Sequence, residues 1–191
     1  MDIKADIFKY GKAMFSTKGF KKTNIKEIAE SAGIGVGTFY NYYASKDQLF
    51  LEIYIQENEN LKKSLMESID LDQEPLKVIN QLIMGNIGAI QTNPILKEWY
   101  SQDFYKKLEQ YYQNEGSKNM DSFRDFYMDL FKKWKDQGKI REDIDEDLLP
   151  VFFDSLVYID THKEDIGIQH FPKIIQYLAE FIMQGLTNHQ K

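Results

Sequence analysis

Residues 23–49 read TNIKEIAESAGIGVGTFYNYYASKDQL, and they predict two short helices joined by a glycine turn. Asn24 is suited to cap the first helix. Its side-chain oxygen can accept the free N–H of Glu27, and the Glu27 carboxylate can bond the Asn24 N–H in return. Gly33 is placed to end this helix in the left-handed conformation, and Gly35 is a tolerable cap for the next one. The stretch therefore predicts a helix-turn-helix.

The second short helix, predicted over residues 36–42, presents polar groups on one face. Thr38, Tyr40 and Asn41 lie on a face other than that of its buried aromatic residue. Two short helices joined by a tight turn, the second offering hydroxyls and an amide, form the unit that reads the DNA major groove. Residues 45–48, SKDQ, form another capping box and begin a longer helix rich in Leu and Ile.

The spacing of these residues closely resembles the N-terminal DNA-binding domain of the tetracycline-repressor (TetR) family, over roughly residues 3–55. The resemblance implies an all-α protein with an N-terminal three-helix helix-turn-helix domain and a C-terminal helical domain for ligand binding and dimerisation. Two positions depart from the family, which commonly has Ser at Gly35 and Phe at Tyr43. Gly35 weakens the helix cap by a few tenths of a kcal/mol, and the Tyr43 hydroxyl needs a partner if it is buried. The matching positions are Gly19, Phe20, Thr23, Asn24, Ile28, Ala29, Ala32, Gly33, Ile34, Gly37, Thr38, Phe39, Tyr40, Tyr43, Ser45, Lys46 and Leu49.

The resemblance also implies which residues face DNA. It places Thr23, Tyr40 and Lys46 on phosphates, which fix register, while the recognition helix faces the base edges that specify sequence. We expect Tyr40 and Lys46 to reach solvent in the free protein, although Tyr40 also fits a partly exposed packing residue. The recognition helix offers no Arg or Lys for guanine, so Thr, Tyr and main-chain groups are expected to contact bases. The predicted DNA-binding set is Thr23, Asn24, Gly35, Val36, Gly37, Thr38, Tyr40, Asn41 and Lys46.

Composition and charge narrow the possible functions. The chain of 191 residues has no Cys, which excludes disulfides, thiolate zinc sites and thiol catalysis. It has no apolar run of about 18 residues for a membrane span, and its N-terminus carries both charge signs, unlike a signal peptide. We therefore expect a cytoplasmic protein that does not enter the membrane. The net charge of −6 divides into +3 for residues 1–50 and −9 for residues 51–191, so the positive field lies at the helix-turn-helix.

The remaining chain is predicted to be helical throughout, with no strand pattern and no repeat. The helix that begins at Lys46 can run over more than 20 residues, about 30 Å, and join the head to the body. Residues 70–75, DLDQEP, interrupt the pattern, and Pro75 suits the first turn of a new helix. We expect a DNA-binding domain at residues 1–50 and an effector-binding and dimerisation domain at residues 51–191.

The C-terminal part is unusually aromatic, which indicates either a ligand cavity between helices or an ordinary aromatic core. The family resemblance favours a cavity for a small apolar or amphipathic effector whose identity the sequence does not give. The predicted lining residues are Ile87, Trp99, Tyr100, Phe104, Tyr105, Phe123, Tyr127 and Phe131. The resemblance also implies a homodimer contact through the last two long helices, or a core beneath it, formed by Phe152, Phe153, Leu156, Ile175, Leu178 and Ile182.

These features predict a repressor that binds double-stranded operator DNA as a homodimer and is released by a small molecule. The alternative is an effector-independent structural DNA-binding protein, such as a nucleoid or division factor with the same head. An enzyme is the third possibility, but the sequence has no paired nucleophile and base, no phosphate loop and no metal-ligand spacing. The acidic run at residues 142–147 fits a solvated connector better than a metal cluster. We expect no cofactor and no metal.

Overall fold

The computed structural model describes residues 2–115 and 118–187, and the side chains of these residues except at 109, 112–124 and 168. Within this part of the chain every regular element is helical, which confirms the all-α prediction. None of the described helices combines the length and apolar character needed to cross a membrane. The helices are α1 (Ile3–Lys22), α2 (Ile25–Ser31), α3 (Val36–Tyr40), α4 (Lys46–Ser68), α5 (Pro75–Thr92), α6 (Gln102–Glu115), α7 (Lys118–Asp136), α8 (Leu148–Thr161), α9 (Lys163–Ile166) and α10 (Lys173–Thr187), with 3₁₀ turns at Leu96–Tyr100 and Ile168–His170.

The helix ends follow local signals. The Asp2 side chain accepts the Ala5 N–H at 3.1 Å and caps α1. Pro75 and Pro150 each fall in the first turn of their helices, where a missing N–H costs nothing. Inside α1, Gly19 adopts a φ of +75°, so the helical geometry breaks there.

The contacts within the chain divide it into two compact units. Unit 1 comprises Met1–Lys63 and Gly88–Phe104, and unit 2 comprises Ser64–Ile87 and Tyr105–Lys191. Helices α4 and α5 therefore each contribute residues to both units. The expected division into a DNA-binding part and an effector-binding part concerns function and stays a proposal.

Unit 1 has a core in which α1, α2 and α3 pack with the first half of α4. Gly11 allows α1 to approach α4 closely, because a Cβ there would lie 2.8 Å from Leu49 Cδ2. Phe20 packs beneath the helix-turn-helix, with its ring centroid 4.8 Å from that of Phe50. The buried residues include Ile7, Phe15, Ile28, Phe39, Leu49, Phe50 and Ile53.

The segment Gly88–Phe104 belongs to unit 1 through apolar and polar contacts with α4. The Phe104 ring lies 5.2 Å from the Phe50 ring and 4.7 Å from the Tyr54 ring. Asn93 Nδ2 donates to Glu57 Oε2 at 3.2 Å, and Lys12 Nζ pairs with Glu57 Oε1 at 2.6 Å. Glu57 thus connects α1, α4 and the end of α5.

Unit 2 has its own core, formed by residues from α5, α7, α8 and α10. Gly85 on α5 faces Leu65 on α4, and a Cβ added there would lie 2.5 Å from Leu65 Cδ2. The two helices therefore approach closely at a residue without a side chain. The buried residues of this core are Val78, Ile79, Leu82, Leu130, Phe131, Trp134, Ile140, Leu149, Phe153, Leu156, Ala179, Met183 and Leu186.

Candidate nucleic-acid interface

Helix α2 begins with the cap that the sequence predicts. The Glu27 N–H donates to Asn24 Oδ1 at 2.9 Å. The predicted return bond from Glu27 to the Asn24 N–H is wrong, since Glu27 Oε1 accepts from Lys18 Nζ at 3.0 Å and Oε2 has no hydrogen-bond partner among the described residues. A charged ammonium is a stronger donor than a neutral amide, which explains why the Glu27 carboxylate pairs with Lys18 and not with the Asn24 N–H.

The turn between α2 and α3 also follows the sequence signals. Gly33 has a φ of +69°, and the Ile34 N–H donates to the Ala29 carbonyl at 2.9 Å, closing the end of α2. Gly35 begins α3 with extended backbone angles and no side-chain cap. The turn of the helix-turn-helix therefore depends on the backbone conformations of these two glycines.

Helix α3 is anchored on one side and exposed on the other. Phe39 is fully buried, and its ring lies 5.9 Å from that of Tyr43. Tyr40 is 52% exposed, which confirms the expectation that it reaches solvent, and Val36 is 38% exposed. Of the other predicted DNA-facing residues, Asn24, Gly35, Gly37 and Asn41 are exposed and Thr38 is half-buried.

Tyr43 is the position where the chain departs from the family by one hydroxyl. It is 1% exposed, and its hydroxyl donates to Glu52 Oε1 at 3.3 Å. Burial, followed by the charge of Glu52, raises the pKa of this hydroxyl above its ordinary value, so it remains a donor. Glu52 also pairs with Lys4 at 3.0 Å. The hydroxyl therefore has the partner that a buried tyrosine needs.

Thr23 and Lys46 are both engaged within the protein. Thr23 is 1% exposed, and its hydroxyl donates to the Gly19 carbonyl at 2.9 Å. Lys46 is half-buried, and its Nζ donates to the carbonyls of Phe20 and Thr23, each at 2.8 Å. The expectation that Lys46 extends into solvent is wrong for this structure, because these two carbonyls hold the ammonium group.

Three lysines that the sequence reading did not single out are exposed beside these residues. Lys21 and Lys22 occupy the last turn of α1, and the described residues give neither of them an ion pair or a hydrogen bond. Lys26 lies in the first turn of α2 with 76% of its side chain exposed, and its nearest carboxylate oxygen, on Glu30, is 3.9 Å away. The sequence pattern that could have identified these lysines is GFKKTNIK at residues 19–26, which contains three lysines and no acid.

The residues predicted to line a ligand cavity fall into different units. Trp99, Tyr100 and Phe104 belong to unit 1, where Phe104 packs against Phe50 and Tyr54. Ile87, Tyr105, Phe123, Tyr127 and Phe131 belong to unit 2, and the side chain of Phe123 lies outside the described residues.

Within unit 2 the structure brings Tyr127 and Phe131 together. Their rings lie 6.1 Å apart, and Phe153 stacks on Tyr127 at 5.7 Å. Burial raises the pKa of the Tyr127 hydroxyl above its ordinary value. Phe131 is 1% exposed, so this aromatic group is part of the unit 2 core as it stands.

The residues predicted for the dimer contact pack mainly against the protein's own core. Phe153, Leu156 and Ile175 are buried, and Phe152, Leu178 and Ile182 are partly buried against the same cluster. The same two helices carry large apolar side chains that remain exposed. These are Leu148, Val151, Val157 and Tyr158 on α8 and Tyr177 and Phe181 on α10.

The acidic connector at residues 142–147 forms ion pairs with neighbouring basic groups. Arg141 Nε donates to Asp143 Oδ1 at 2.6 Å, and this contact lowers the pKa of the Asp143 carboxyl. Lys135 pairs with Glu146 at 3.7 Å. Among the described residues no group of three or more His, Asp or Glu side chains is arranged to hold a metal ion.

Comparison with known proteins gives a consistent result across the chain. Residues 7–53 match the family model described as bacterial regulatory proteins, tetR family. The transcriptional repressor KstR2 of Mycolicibacterium smegmatis is 26% identical over 189 residues, covering 97% of this chain and 91% of the relative. The fold resembles that of RolR in complex with resorcinol, with a TM-score of 0.65 at 17% identity over 98% of this chain and 88% of that one. It also resembles FadR of Bacillus subtilis in complex with stearoyl-CoA, with a TM-score of 0.62 at 13% identity over 95% and 98%.

The family match covers α2 and α3, whose cap, glycine turn and exposed tyrosine form the helix-turn-helix described above. The similarity to a named transcriptional repressor extends over nearly the whole chain, including the helical C-terminal part. Residues 7–53 therefore form a DNA-binding domain of the TetR type, and nearly the whole chain is similar to a transcriptional repressor.

Proposed function

We propose that this protein is a cytoplasmic transcriptional repressor that binds a near-palindromic operator as a homodimer and is released by a small hydrophobic or amphipathic ligand. The observation that carries the proposal is the exposed face of α3. Val36, Tyr40 and Asn41 stand out from a helix whose other side is fixed by the buried Phe39. A rigid helix with an exposed hydroxyl and amide is suited to the major groove.

The proposal includes a homodimer because one short recognition helix contacts few bases. Doubling it on a two-fold axis doubles the site, with half-sites about 34–36 Å apart along one side of the duplex. The exposed apolar side chains of α8 and α10 support a contact between two copies in unit 2.

Ligand control is supported by the aromatic composition of unit 2 and by the similar folds. RolR was solved with resorcinol, a small aromatic diol, and FadR with stearoyl-CoA, which carries a long acyl chain. Tyr127, Phe131 and Phe153 form a buried aromatic group, which would contact a molecule of this kind once the helices around it part to admit it. The ligand can act only if it binds better to the state with low operator affinity.

The first test is selection of duplexes from a random-sequence pool with the purified protein. We expect inverted repeats whose half-site centres are about 10–10.5 base pairs apart. Recovery of single, asymmetric sites would contradict the homodimer, and recovery of no preferred sequence would favour a structural DNA-binding protein.

The second test concerns the ligand. A thermal-shift screen of hydrophobic compounds should yield a binder, whose affinity is then measured with and without the selected duplex. A coupling of about 1–3 kcal/mol lowers DNA affinity about 5- to 150-fold, and the duplex must weaken ligand binding by the same factor. Equal ligand affinities in the two states would exclude ligand control and leave the effector-independent alternative.

A further inference from the structure

We propose that residues 19–23 form a phosphate-binding corner in which Lys21 and Lys22 contact the DNA backbone, while Lys46 holds the corner in place instead of contacting phosphate. We call these five residues the α1–α2 corner. The proposal rests on the DNA-binding function of the family. It adds two contact residues and gives Lys46 a different role from the one that the family resemblance implies.

The backbone of the α1–α2 corner is closed by its own hydrogen bonds. Gly19 has a φ of +75° and a ψ of 170°, which turns the chain out of the helix. Four residues on, the chain is extended at Thr23, whose hydroxyl donates back to the Gly19 carbonyl at 2.9 Å. The corner therefore has a defined shape before any DNA is present.

Lys46 supplies the remaining bonds of the corner. Its ammonium group donates to the carbonyls of Phe20 and Thr23, both at 2.8 Å, and lies 4.3 Å from the centroid of the Phe20 ring. A lysine ammonium has three donors, and two of them are used here. Moving the group to a phosphate would leave two carbonyls at the end of α1 without these donors, which opposes the move.

The same geometry directs Lys21 and Lys22 outward. Phe20 packs inward, with its ring centroid 6.0 Å from that of Phe15 and 4.8 Å from that of Phe50, and Thr23 is buried on the other side. Both lysines between them are exposed. The corner thus presents two cations from a fixed loop.

The charge around the corner favours a polyanion. The segment from Gly19 to Lys26 contains three lysines and no acid. The first acid after it, Glu27, already pairs with Lys18 at 3.0 Å. The positive charge of Lys21 and Lys22 therefore has no nearby carboxylate to offset it, and phosphate is the chemical group that matches.

The position of the corner in the chain points to DNA as the source of that phosphate. It leads directly into α2, the first helix of the helix-turn-helix. In this motif the first helix crosses the DNA backbone while the second enters the major groove. Lysines that precede the first helix by three or four residues are therefore placed to meet the backbone beside the groove.

The test compares the salt dependence of binding to the best duplex recovered by selection with wild-type protein. The logarithm of affinity falls against the logarithm of salt by about 0.9 per phosphate contact, so Lys21→Ala with Lys22→Ala on both subunits should remove about 3.6 units of slope. Lys46→Met should weaken binding but keep a slope within about half a unit of wild type. The matched control, Lys77→Ala with Lys132→Ala, removes two exposed lysines from unit 2 and should change neither affinity nor slope.

Amide hydrogen exchange separates the structural role of Lys46 from the phosphate contacts of Lys21 and Lys22. Lys46→Met should speed exchange in the corner and at the start of α2, Lys46→Arg should restore it, and the Lys21 and Lys22 variant should leave it unchanged. A wild-type slope in the Lys21 and Lys22 variant would overturn the phosphate contacts. A slope loss in Lys46→Met as large as about one unit per subunit would overturn the role given to Lys46. Absence of any salt-dependent duplex binding by the wild type would instead contradict the DNA-binding function itself.

Discussion

Gly35 shows how much depends on one residue at the start of the recognition helix. It has ordinary extended angles, with φ −76° and ψ 154°, and it offers α3 no side-chain cap. A Cβ added there meets no heavy atom within 4 Å. Gly33, two residues earlier, has a φ of +69°, which side chains rarely adopt. Neighbouring glycines thus have opposite tolerance to substitution.

We predict that Gly35→Ser raises the free energy of unfolding by a few tenths of a kcal/mol, because a serine hydroxyl can cap α3 where glycine cannot. Gly33→Ser, the matched control, should lower it by about 1–2 kcal/mol because its φ is left-handed. Denaturant unfolding of the three proteins measures both changes. A loss of stability in Gly35→Ser equal to that in Gly33→Ser would contradict the capping argument.

At the scale of elements, Glu57 joins three helices of unit 1. Its carboxylate accepts from Lys12 on α1 and from Asn93 just after α5, while the residue itself lies on α4. Only 15% of its side chain is exposed. Burial alone would raise the pKa of Glu57, but the hydrogen bonds from Lys12, Asn93 and Asn60 and the charge of Lys12 outweigh it and lower that pKa below its ordinary value of 4.5.

This shift predicts acid sensitivity with a definite sign. Because the pKa of Glu57 is lower in the folded state, folding is favoured above pH 4.5, and that contribution is lost as the pH falls below it through the folded-state pKa. Glu57→Gln should therefore lose stability near neutral pH and show a weaker decline between neutral pH and acid. Unfolding free energies measured over a pH series test this.

Glu59→Gln is the control for Glu57, since Glu59 lies on the same helix and its partner Lys62 is only three residues away. Glu59→Gln leaves the contacts of Glu57 with Lys12 and Asn93 intact, so it should lose less stability near neutral pH than Glu57→Gln. Identical pH profiles for the wild type and Glu57→Gln would show that the bridge to α1 and α5 contributes nothing to acid stability.

At the scale of the whole molecule, the exposed apolar side chains of α8 and α10 bear on where a second copy of the chain would bind. Tyr158 is 64% exposed and Phe181 is 61% exposed, on helices that pack against each other in unit 2. Tyr177 stacks beside Phe181 with ring centroids 6.3 Å apart. By contrast, Leu178 and Ile182 are partly buried against the core of the same unit. The exposed residues are therefore the better probes of an interface.

We predict that Phe181→Glu converts the proposed homodimer into monomers, because a carboxylate without a partner in an apolar contact costs several kcal/mol. Met84→Glu, at a position on α5 that is 45% exposed, should leave the dimer intact. Sedimentation velocity measures both. Leu178→Glu should lower the stability of the fold as well, so it cannot separate assembly from folding. A dimeric Phe181→Glu protein would place the interface elsewhere.

Local signals in the sequence determined the helix-turn-helix and which face of its second helix is exposed. The Asn24 cap, the left-handed Gly33 and the exposure of Tyr40 all depend on residues within a few positions of each other, and they are found as predicted. The family match at residues 7–53 agrees with that reading. Short-range hydrogen bonds and steric limits act in the same way in any fold, so a sequence alone can reveal them.

Only the tertiary structure decided which partners the long side chains take. Lys46 bonds carbonyls that lie 26 and 23 residues before it, and Glu27 bonds Lys18 instead of its own helix cap. On α10, Leu178 and Phe181 are both apolar and lie three residues apart, but packing partly buries Leu178 and leaves Phe181 exposed. A flexible charged side chain reaches several acceptors, and an apolar face fits several neighbours. The choice is therefore made by the helices that come together, which no local pattern encodes.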